Sequence, residues 1–155
     1  MKTREPQITL TANTSGSAST TTAASAGSSG YAGAGVLSRC EGLTVDATIV
    51  GPTGGTVDVY IQRKLATNSW VDWVHFPQVA AATTKRYTFT VVGDGSTITE
   101  VGGGTDASPG VALAANTVVN VTPGGDLRIV TVTGAGVSVA GTVTLVLTPY
   151  TERFG

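Results

Sequence analysis

From residue 43 onward, apolar and polar residues repeatedly alternate, and this period of two constrains the fold more than any other feature of the chain. In residues 43–49, Leu, Val, Ala and Ile alternate with Thr and Asp, and a similar alternation returns in residues 57–61. Successive side chains of a β-strand point to opposite faces, so each such segment buries one face and exposes the other. The alternation therefore predicts an all-β protein.

Segments of this kind recur at short spacing, separated by turn-forming Gly, Pro and Asp residues. The Gly51-Pro52-Thr53-Gly54-Gly55 turn predicts a hairpin between the first two segments. Pro149 is expected to end the last strand. The pattern predicts an antiparallel β-sandwich or jelly roll of about eight short strands. The segments are residues 43–49, 57–61, 70–76, 87–92, 111–113, 118–121, 126–133 and 142–148.

The region before the alternation has a different composition. Apart from Asn13 and Tyr31, residues 13–35 are all Gly, Ser, Thr or Ala. Such a tract buries too little apolar surface to fold alone, so residues 1–35 are predicted to form an extended N-terminal arm and residues 36–155 the sandwich domain. The alternating residues 7–12 could add as a strand to the sheet edge of a partner, or return to the sheet of their own domain.

Composition argues against several classes of partner. Charged residues make up 12% of the chain and the net charge is -1, whereas phosphate binding needs clustered Lys and Arg. The single cysteine excludes an intrachain disulfide. No apolar run is long enough to span a membrane, and the first residues lack the apolar core of a secretory signal. We therefore expect synthesis in the cytoplasm, with neither nucleic acid nor membrane as a partner.

Residues able to carry catalysis or to hold a metal are few. His75 is the only histidine, so an ordinary zinc site cannot be built within one chain. No serine lies in a nucleophile-elbow pattern. The carboxylates in or near predicted loops match no calcium-loop spacing, and these are Asp94, Glu100, Asp106 and Asp126. Cys40 is expected to be a small buried hydrophobe. The chain is therefore predicted not to be an enzyme and to need no cofactor or metal.

The aromatic residues are the remaining candidates for a binding site. Trp70 and Trp73 are three residues apart, so on a regular strand they point to opposite faces. One would lie in the core, and the other could stack on a sugar ring or a protein neighbour together with Tyr60. Alternatively, a bulge between them would bury both. The candidate partner-binding residues are Ile8, Leu10, Tyr31, Tyr60 and Trp73.

Three short segments carry a resemblance to a known family. Residues 57–63 are a predicted strand with Gln62 near its end. Residues 68–73 contain the motif Trp-x-Asp at the start of the next strand, and residues 125–129 contain the pair Leu-Arg in a strand near the end of the sequence. This succession resembles small β-sandwich head proteins of tailed bacteriophages, including decoration or cement proteins of the capsid exterior. The resemblance covers residues 43–148 and implies no catalytic residue. The small-residue arm and the Gly-rich loop 102–110 depart from it.

The resemblance implies a virion protein on the capsid exterior, with the major capsid protein or other virion subunits as partners. A homo-oligomer is expected, with a trimer favoured. The leading hypothesis is a decoration protein that binds the capsid lattice through its arm and sandwich surface and stabilises the assembled state. The alternative is a receptor- or glycan-binding module of a tail fibre or spike, using Trp70 or Trp73 with Tyr60. A hydrolase dependent on His75 is the least favoured hypothesis.

Overall fold

The computed structural model confirms the predicted all-β sandwich. It describes residues 2–4, 7–13, 23–25, 37, 40–64, 70–92, 103–104, 115, 117–119 and 126–152. Within these residues the chain forms two antiparallel sheets, here called sheet A and sheet B, and the core lies between them.

The described residues contain the following strands, several of which have only two or three residues. They are β1 (Lys2–Arg4), β2 (Ile8–Asn13), β3 (Ala23–Ser25), β4 (Gly42–Val50), β5 (Thr56–Lys64), β6 (Trp70–His75), β7 (Val79–Ala80), β8 (Thr84–Val92), β9 (Gly103–Gly104), β10 (Thr117–Val118), β11 (Leu127–Thr133) and β12 (Thr142–Glu152).

Sheet A is built around the last strand of the chain. β12 pairs with β4 on one side, and β4 pairs in turn with β8. On its other side β12 pairs first with β2, over residues 142–147, and then with β1, over residues 150–152. The two N-terminal strands therefore form one edge of sheet A, and β8 forms the other edge among the described residues.

Sheet B has β5 and β11 at its centre. β5 pairs with β11 over residues 57–63 and with β6 on its other side. β3 extends the sheet beyond β11, whereas the two-residue strands β7, β9 and β10 pair with β5 or β6. The register between β5 and β6 shifts at Ile61/Gln62, which places Trp73 of β6 in a β-bulge between Asp72 and Val74.

The core is formed by the inward-facing residues of both sheets, as the alternation predicts. Each fully buried Val, Leu, Ile or Phe contributes about 1.5–3 kcal/mol relative to exposure, so these residues fix the register of the strands. The sequence assigned Ile61 to the core face, and the structure confirms this with an exposed fraction of 0%. The largest fully buried side chains are Trp73, Leu37, Leu43, Ile49, Ile61, Leu127, Ile129, Leu145 and Leu147.

The predicted hairpin of residues 43–61 is wrong, although both of its strands exist. β4 lies in sheet A and β5 in sheet B, so the Gly-rich turn crosses from one sheet to the other. Gly54 and Gly55 have φ values of 67° and 87°, and a Cβ on Gly54 would lie 2.4 Å from the carbonyl oxygen of Gly136. The turn therefore packs against a second loop, and both flanking strands bury their apolar faces across the sandwich instead of pairing with each other.

The prediction that Pro149 ends the last strand is also wrong. β12 continues through Pro149 to Glu152, and Pro149 pairs with Leu43 of β4. A proline in a central strand costs a backbone hydrogen bond only where its missing N–H would face a partner. On the β2 side, the pairing of β12 stops at Leu147 and resumes with β1 at Tyr150, so Pro149 lies opposite the gap between the two N-terminal strands.

The described parts of the predicted arm belong to the sandwich itself. Residues 7–12 were expected to add either to a partner or to their own sheet, and β2 pairs with β12 of the same chain. β1 pairs with β12 as well, and β3 pairs with β11. Because β2 alternates Leu10 and Ala12 inward with polar residues outward, the two-sheet core supplies the apolar surface that it covers. Most of residues 14–36 lie outside the described residues.

Candidate functional site

The outward-facing side of sheet A carries a broad array of threonines, here called the threonine face. Most of its outward positions are threonine, and they run in register across β2, β12, β4 and β8. A single carboxylate, Asp46, and a single cation, Arg86, interrupt the array on β4 and β8. The threonines are Thr9, Thr11, Thr44, Thr48, Thr84, Thr88, Thr90, Thr142, Thr144 and Thr148.

Hydrogen bonds between neighbouring strands order part of the threonine face. The hydroxyls of Thr44 and Thr90 lie 3.0 Å apart, and Thr88 Oγ1 donates to Asp46 Oδ1 at 2.7 Å. At the opposite edge, Gln7 Nε2 donates to Thr148 Oγ1 at 3.1 Å. Threonine is branched at Cβ and therefore has few χ1 rotamers to lose. The face thus presents short, conformationally restricted hydroxyl and methyl groups with little charge.

The outward-facing side of sheet B carries a very different set of residues. Gln62 Nε2 donates to Asp72 Oδ1 at 2.7 Å, and Arg128 Nε donates to Gln62 Oε1 at 2.7 Å. We call Asp72, Gln62 and Arg128 the buried polar chain, because their exposed fractions are 0%, 0% and 6%. Gln62 pairs in register with Asp72 on β6 and with Arg128 on β11, so the sheet places the three side chains in one row. The amide of Gln62 bridges a carboxylate and a guanidinium.

Trp70 lies over the end of the buried polar chain. The guanidinium carbon of Arg128 is 4.5 Å from the centroid of the Trp70 ring, and Lys64 Nζ is 5.9 Å from it. Both distances fall within the range of cation–π attraction. Lys64 Nζ also lies 4.0 Å from Asp126 Oδ2. The half-buried Trp70 therefore contacts protein cations, and Asp126, predicted to lie near a loop, belongs to this cluster.

A second cluster lies farther along the same side of sheet B. The rings of Tyr60 and His75 stack with their centroids 4.0 Å apart, and His75 Nε2 is 3.6 Å from Asp58 Oδ1. Gln78 Nε2 donates to Asp58 Oδ2 at 2.9 Å. Burial raises the pKa of the Tyr60 phenol above its ordinary value, and the nearby carboxylates of Asp58 and Asp72 raise it further. The cluster thus holds Tyr60 in its neutral form.

An open groove lies between the edge strand β8 and the end of β6, with a volume of about 320 Å³. Three aromatic residues form its walls: the rings of Phe76 and Tyr87 are 5.3 Å apart, and those of Phe76 and Phe89 are 6.2 Å apart. We call it the aromatic groove. Its lining residues are Val74, His75, Phe76, Pro77, Arg86, Tyr87, Thr88, Phe89 and Val118.

The structure buries three of the five predicted partner-binding residues and half-buries a fourth. Leu10 and Tyr60 are each 7% exposed, and Ile8 is half-buried against the core. Trp73 was proposed as a stacking residue, but it is 0% exposed. The reason is the bulge, which turns the Trp73 side chain into the core, where its ring meets Phe89 edge-on at 6.3 Å. Tyr31 lies outside the described residues.

The bulge also corrects the assignment of His75. The alternation placed His75 on the same face as Val71 and Trp73, whereas the structure pairs it with Tyr60 on the outward side of sheet B. Of the two tryptophans, Trp73 is the core residue and Trp70 the half-exposed one. The alternative that uses Trp70 or Trp73 with Tyr60 to bind a receptor or glycan therefore keeps only Trp70 as a half-exposed residue.

The other residues considered for catalysis or metal binding either have a structural role or lie outside the described residues. Cys40 is buried, its Sγ lies 3.3 Å from the carbonyl oxygen of Leu37, and burial raises the pKa of its thiol to about 11. In the part of the chain that the structure describes, no three His, Cys, Asp or Glu residues group as metal ligands. The same residues contain no helix long and apolar enough to cross a membrane. Asp94, Glu100 and Asp106 lie outside the described residues.

The sequence did not predict that the residues of the buried polar chain interact, although each of them belongs to a motif described above. Gln62, Trp70, Asp72 and Arg128 are among the residues that carry the resemblance to phage head proteins. The structure brings Asp72, Gln62 and Arg128 together in one row and places Trp70 beside Arg128 at its end. The available signal was their position at polar sites of neighbouring strands. The chain matches no protein-family model, no curated protein and no solved structure.

Proposed function

We propose that this chain is a non-enzymatic structural protein of a virus particle, a decoration or cement protein that packs against the capsid lattice with its threonine face. Its partner would be the major capsid protein or another virion subunit on the capsid exterior, with the chain assembled as a trimer. The observation that carries the proposal is the threonine face itself, which is wide, in register across four strand positions and nearly uncharged.

The physical argument concerns the cost of forming an interface. A long charged side chain loses considerable rotamer entropy and solvation when another protein covers it, whereas threonine loses little of either. Several of these hydroxyls are already fixed by hydrogen bonds between strands. Repeated contacts of this kind across many lattice sites would stabilise the assembled particle, because they favour the assembled state alone.

The resemblance to phage head proteins gives the proposal its biological setting. The residues that carry it form the buried polar chain on the opposite side of the sandwich. In this proposal the buried polar chain fixes the geometry of sheet B, and the threonine face makes the contacts. β2, which lies within the predicted arm, takes part as one edge of that face.

The first test measures the protein composition of the virus particle. Quantitative mass spectrometry of purified virions from the phage or prophage that encodes the chain should give a copy number that is a simple fraction of the major capsid protein. A handful of copies per particle would assign the protein to the neck or tail. Absence from the particle would contradict the proposal.

A surface variant then tests the face. Thr48→Lys combined with Thr144→Lys places two cations at paired positions in the middle of the threonine face. We expect the folded variant to lose binding to particles that lack the wild-type protein. Ala135→Lys, at an exposed turn residue outside sheet A, is the matched control and should bind normally. Equal binding by the Thr48/Thr144 variant would show that another surface makes the contact.

A further inference from the structure

The aromatic groove lies beside the edge strand of sheet A that has no second partner among the described residues. β8 pairs with β4 along its whole length, and no other described strand pairs with it. An edge strand of an antiparallel sheet directs alternate N–H and C=O groups away from its only neighbour, where another extended segment can bind them. The groove and these backbone groups are therefore continuous with each other.

The side chains of β8 divide between the groove and the solvent. Tyr87 and Phe89 lie opposite Ala47 and Val45, on the inward side of sheet A, and both are half-buried walls of the groove. With Phe76 across from them, they leave a space of about 320 Å³. This volume is at the lower end for ligand sites and suits one large apolar side chain rather than an extended cofactor.

The charged side chains of the edge strand β8 itself are cationic, whereas the nearby carboxylates of Asp46 and Asp58 already contact Thr88, Gln78 and His75. Arg86 is the only Arg, Lys, Asp or Glu among the lining residues, and Lys85 precedes it on β8. Both residues are exposed, and the ion pairs of the described residues, Lys64 with Asp126 and His75 with Asp58, involve neither of them. Two neighbouring cations at an edge disfavour pairing of β8 with a like-charged strand and favour an acidic one.

We propose that β8 and the aromatic groove bind an extended acidic peptide segment of a partner protein by strand addition. The segment pairs its backbone with β8 and inserts one aromatic or large aliphatic side chain between Phe76, Tyr87 and Phe89. Its carboxylates lie beside Lys85 and Arg86. This site borders the threonine face, with which it shares Arg86 and Thr88, and the proposal stands whether or not the protein belongs to a virion.

The probe is the capped heptapeptide Glu-Glu-Val-Phe-Val-Glu-Glu, whose palindromic sequence fits β8 in either direction. Titration into the ¹⁵N-labelled protein, followed by NMR, should shift the amide signals of residues 74–76, of β8 and of Val118. Three control peptides remove one feature each: Ala replaces Phe, Lys replaces every Glu, or the backbone is N-methylated at alternate residues. Each control should bind more weakly than the probe.

Protein variants test the charge contribution. Arg86→Gln should weaken binding of the probe by roughly twofold to fivefold, the range expected of an exposed ion pair, while the fold is unchanged. Arg4→Gln removes an equal charge from β1, where Arg4 is also exposed, and should leave binding unchanged. A loss of affinity shared by both variants would show a non-specific charge effect and would overturn the proposal.

Other outcomes would also overturn the proposal. Equal affinity of the N-methylated peptide would mean that no strand is added. Phenylacetate binding as tightly as the peptide would make the groove a small-molecule site. Signal changes confined to residues outside the groove and β8, or self-association of the protein through β8, would assign the edge to a different occupant.

Discussion

The two outer sides of the sandwich differ, although both arise from strands that alternate apolar and polar residues. On sheet A, the outward positions are mostly threonines, and all of these except the buried Thr148 are exposed or half-exposed. On sheet B, the outward positions include Asp72, Gln62 and Arg128, which are almost completely buried. The alternation therefore specifies which residues leave the core, but it does not specify whether those residues meet solvent.

This contrast has energetic consequences. An exposed hydroxyl exchanges its protein partner for water at little cost, whereas a buried charge that loses its partner keeps its full desolvation penalty. Substitutions on sheet B should therefore affect stability strongly, and substitutions on the threonine face should affect it weakly. The four predictions below test this difference, from the largest expected effect to the smallest.

The largest effect is expected from Asp72→Ala. Removing the carboxylate takes away the acceptor of the Gln62 amide and so disrupts the buried polar chain that includes Arg128, and breaking a buried ionic network typically costs about 3–5 kcal/mol. Urea denaturation followed by circular dichroism measures the loss. Asp46→Ala, on the exposed threonine face, is the matched control and should cost about 1 kcal/mol or less. Equal losses in the two variants would remove the energetic distinction between the faces.

A smaller effect is expected from Trp70→Leu. The substitution keeps an apolar side chain but removes the ring that lies 4.5 Å from the Arg128 guanidinium, a contact worth about 1 kcal/mol. Trp70→Phe retains a ring and should lose less stability in the same denaturation experiment. If the two variants are equally destabilised, packing rather than cation–π attraction holds Trp70 in place.

The dependence of stability on pH gives a third test. Because burial and neighbouring carboxylates raise the pKa of Tyr60 in the folded state, the unfolded chain releases this proton first as the pH rises. Tyr60 therefore stabilises the fold fully below pH 10, and this contribution is lost as the pH rises through the folded-state pKa. We expect urea denaturation between pH 8 and pH 11 to show a shallower decline for Tyr60→Phe than for the wild type.

The thiol of Cys40 has a raised pKa too and adds to the alkaline decline of both proteins. Cys40→Ala, combined with each form of residue 60, isolates the contribution of the tyrosine. An identical decline with Tyr60 and with Phe at this position would contradict the assigned cause.

The smallest effect is expected from Thr44→Val. The substitution preserves the branched shape and removes one hydroxyl of the pair that Thr44 forms with Thr90 on the exposed face. We expect a change of less than about 0.5 kcal/mol in the free energy of unfolding. A loss above about 2 kcal/mol, measured by the same denaturation, would mean that the threonine face is as tightly coupled as the buried polar chain.

The sequence predicted the fold class and many of the core residues because the period of two reports directly which side chains face inward. It failed on the pairing of β4 with β5 and on the end of β12, since pairing depends on tertiary contacts that alternation does not encode. The bulge at Trp73 shifted the phase of β6 and so misassigned His75. A single inserted position cannot be recognised in so short a strand, because each of its two alternating sets of residues contains both apolar and polar side chains.

The candidate sites, like the strand pairing, could be predicted only in part from the sequence. Gln62, Asp72 and Arg128 could be assigned to polar positions, but their convergence required the register of three strands. The aromatic groove joins residues of β6, β8 and β10, which are far apart in the sequence, so no local sequence motif predicts it. The threonine face could be inferred strand by strand, but its continuity depends on β2 lying beside β12.

The position of β12 between β4 and the N-terminal strands has a consequence for the order of folding. Residues 2–4 pair with residues 150–152, so sheet A cannot be completed on the ribosome until nearly the whole of this sequence has emerged. Until then β4 has only β8 beside it, and β2 lacks the strand with which it pairs. Contacts between such distant residues slow folding, because a long loop must close before any of them forms. The nascent chain therefore passes through a stage in which the side of β4 that β12 later covers is open, and chaperone binding or an early partner would be most effective at that stage.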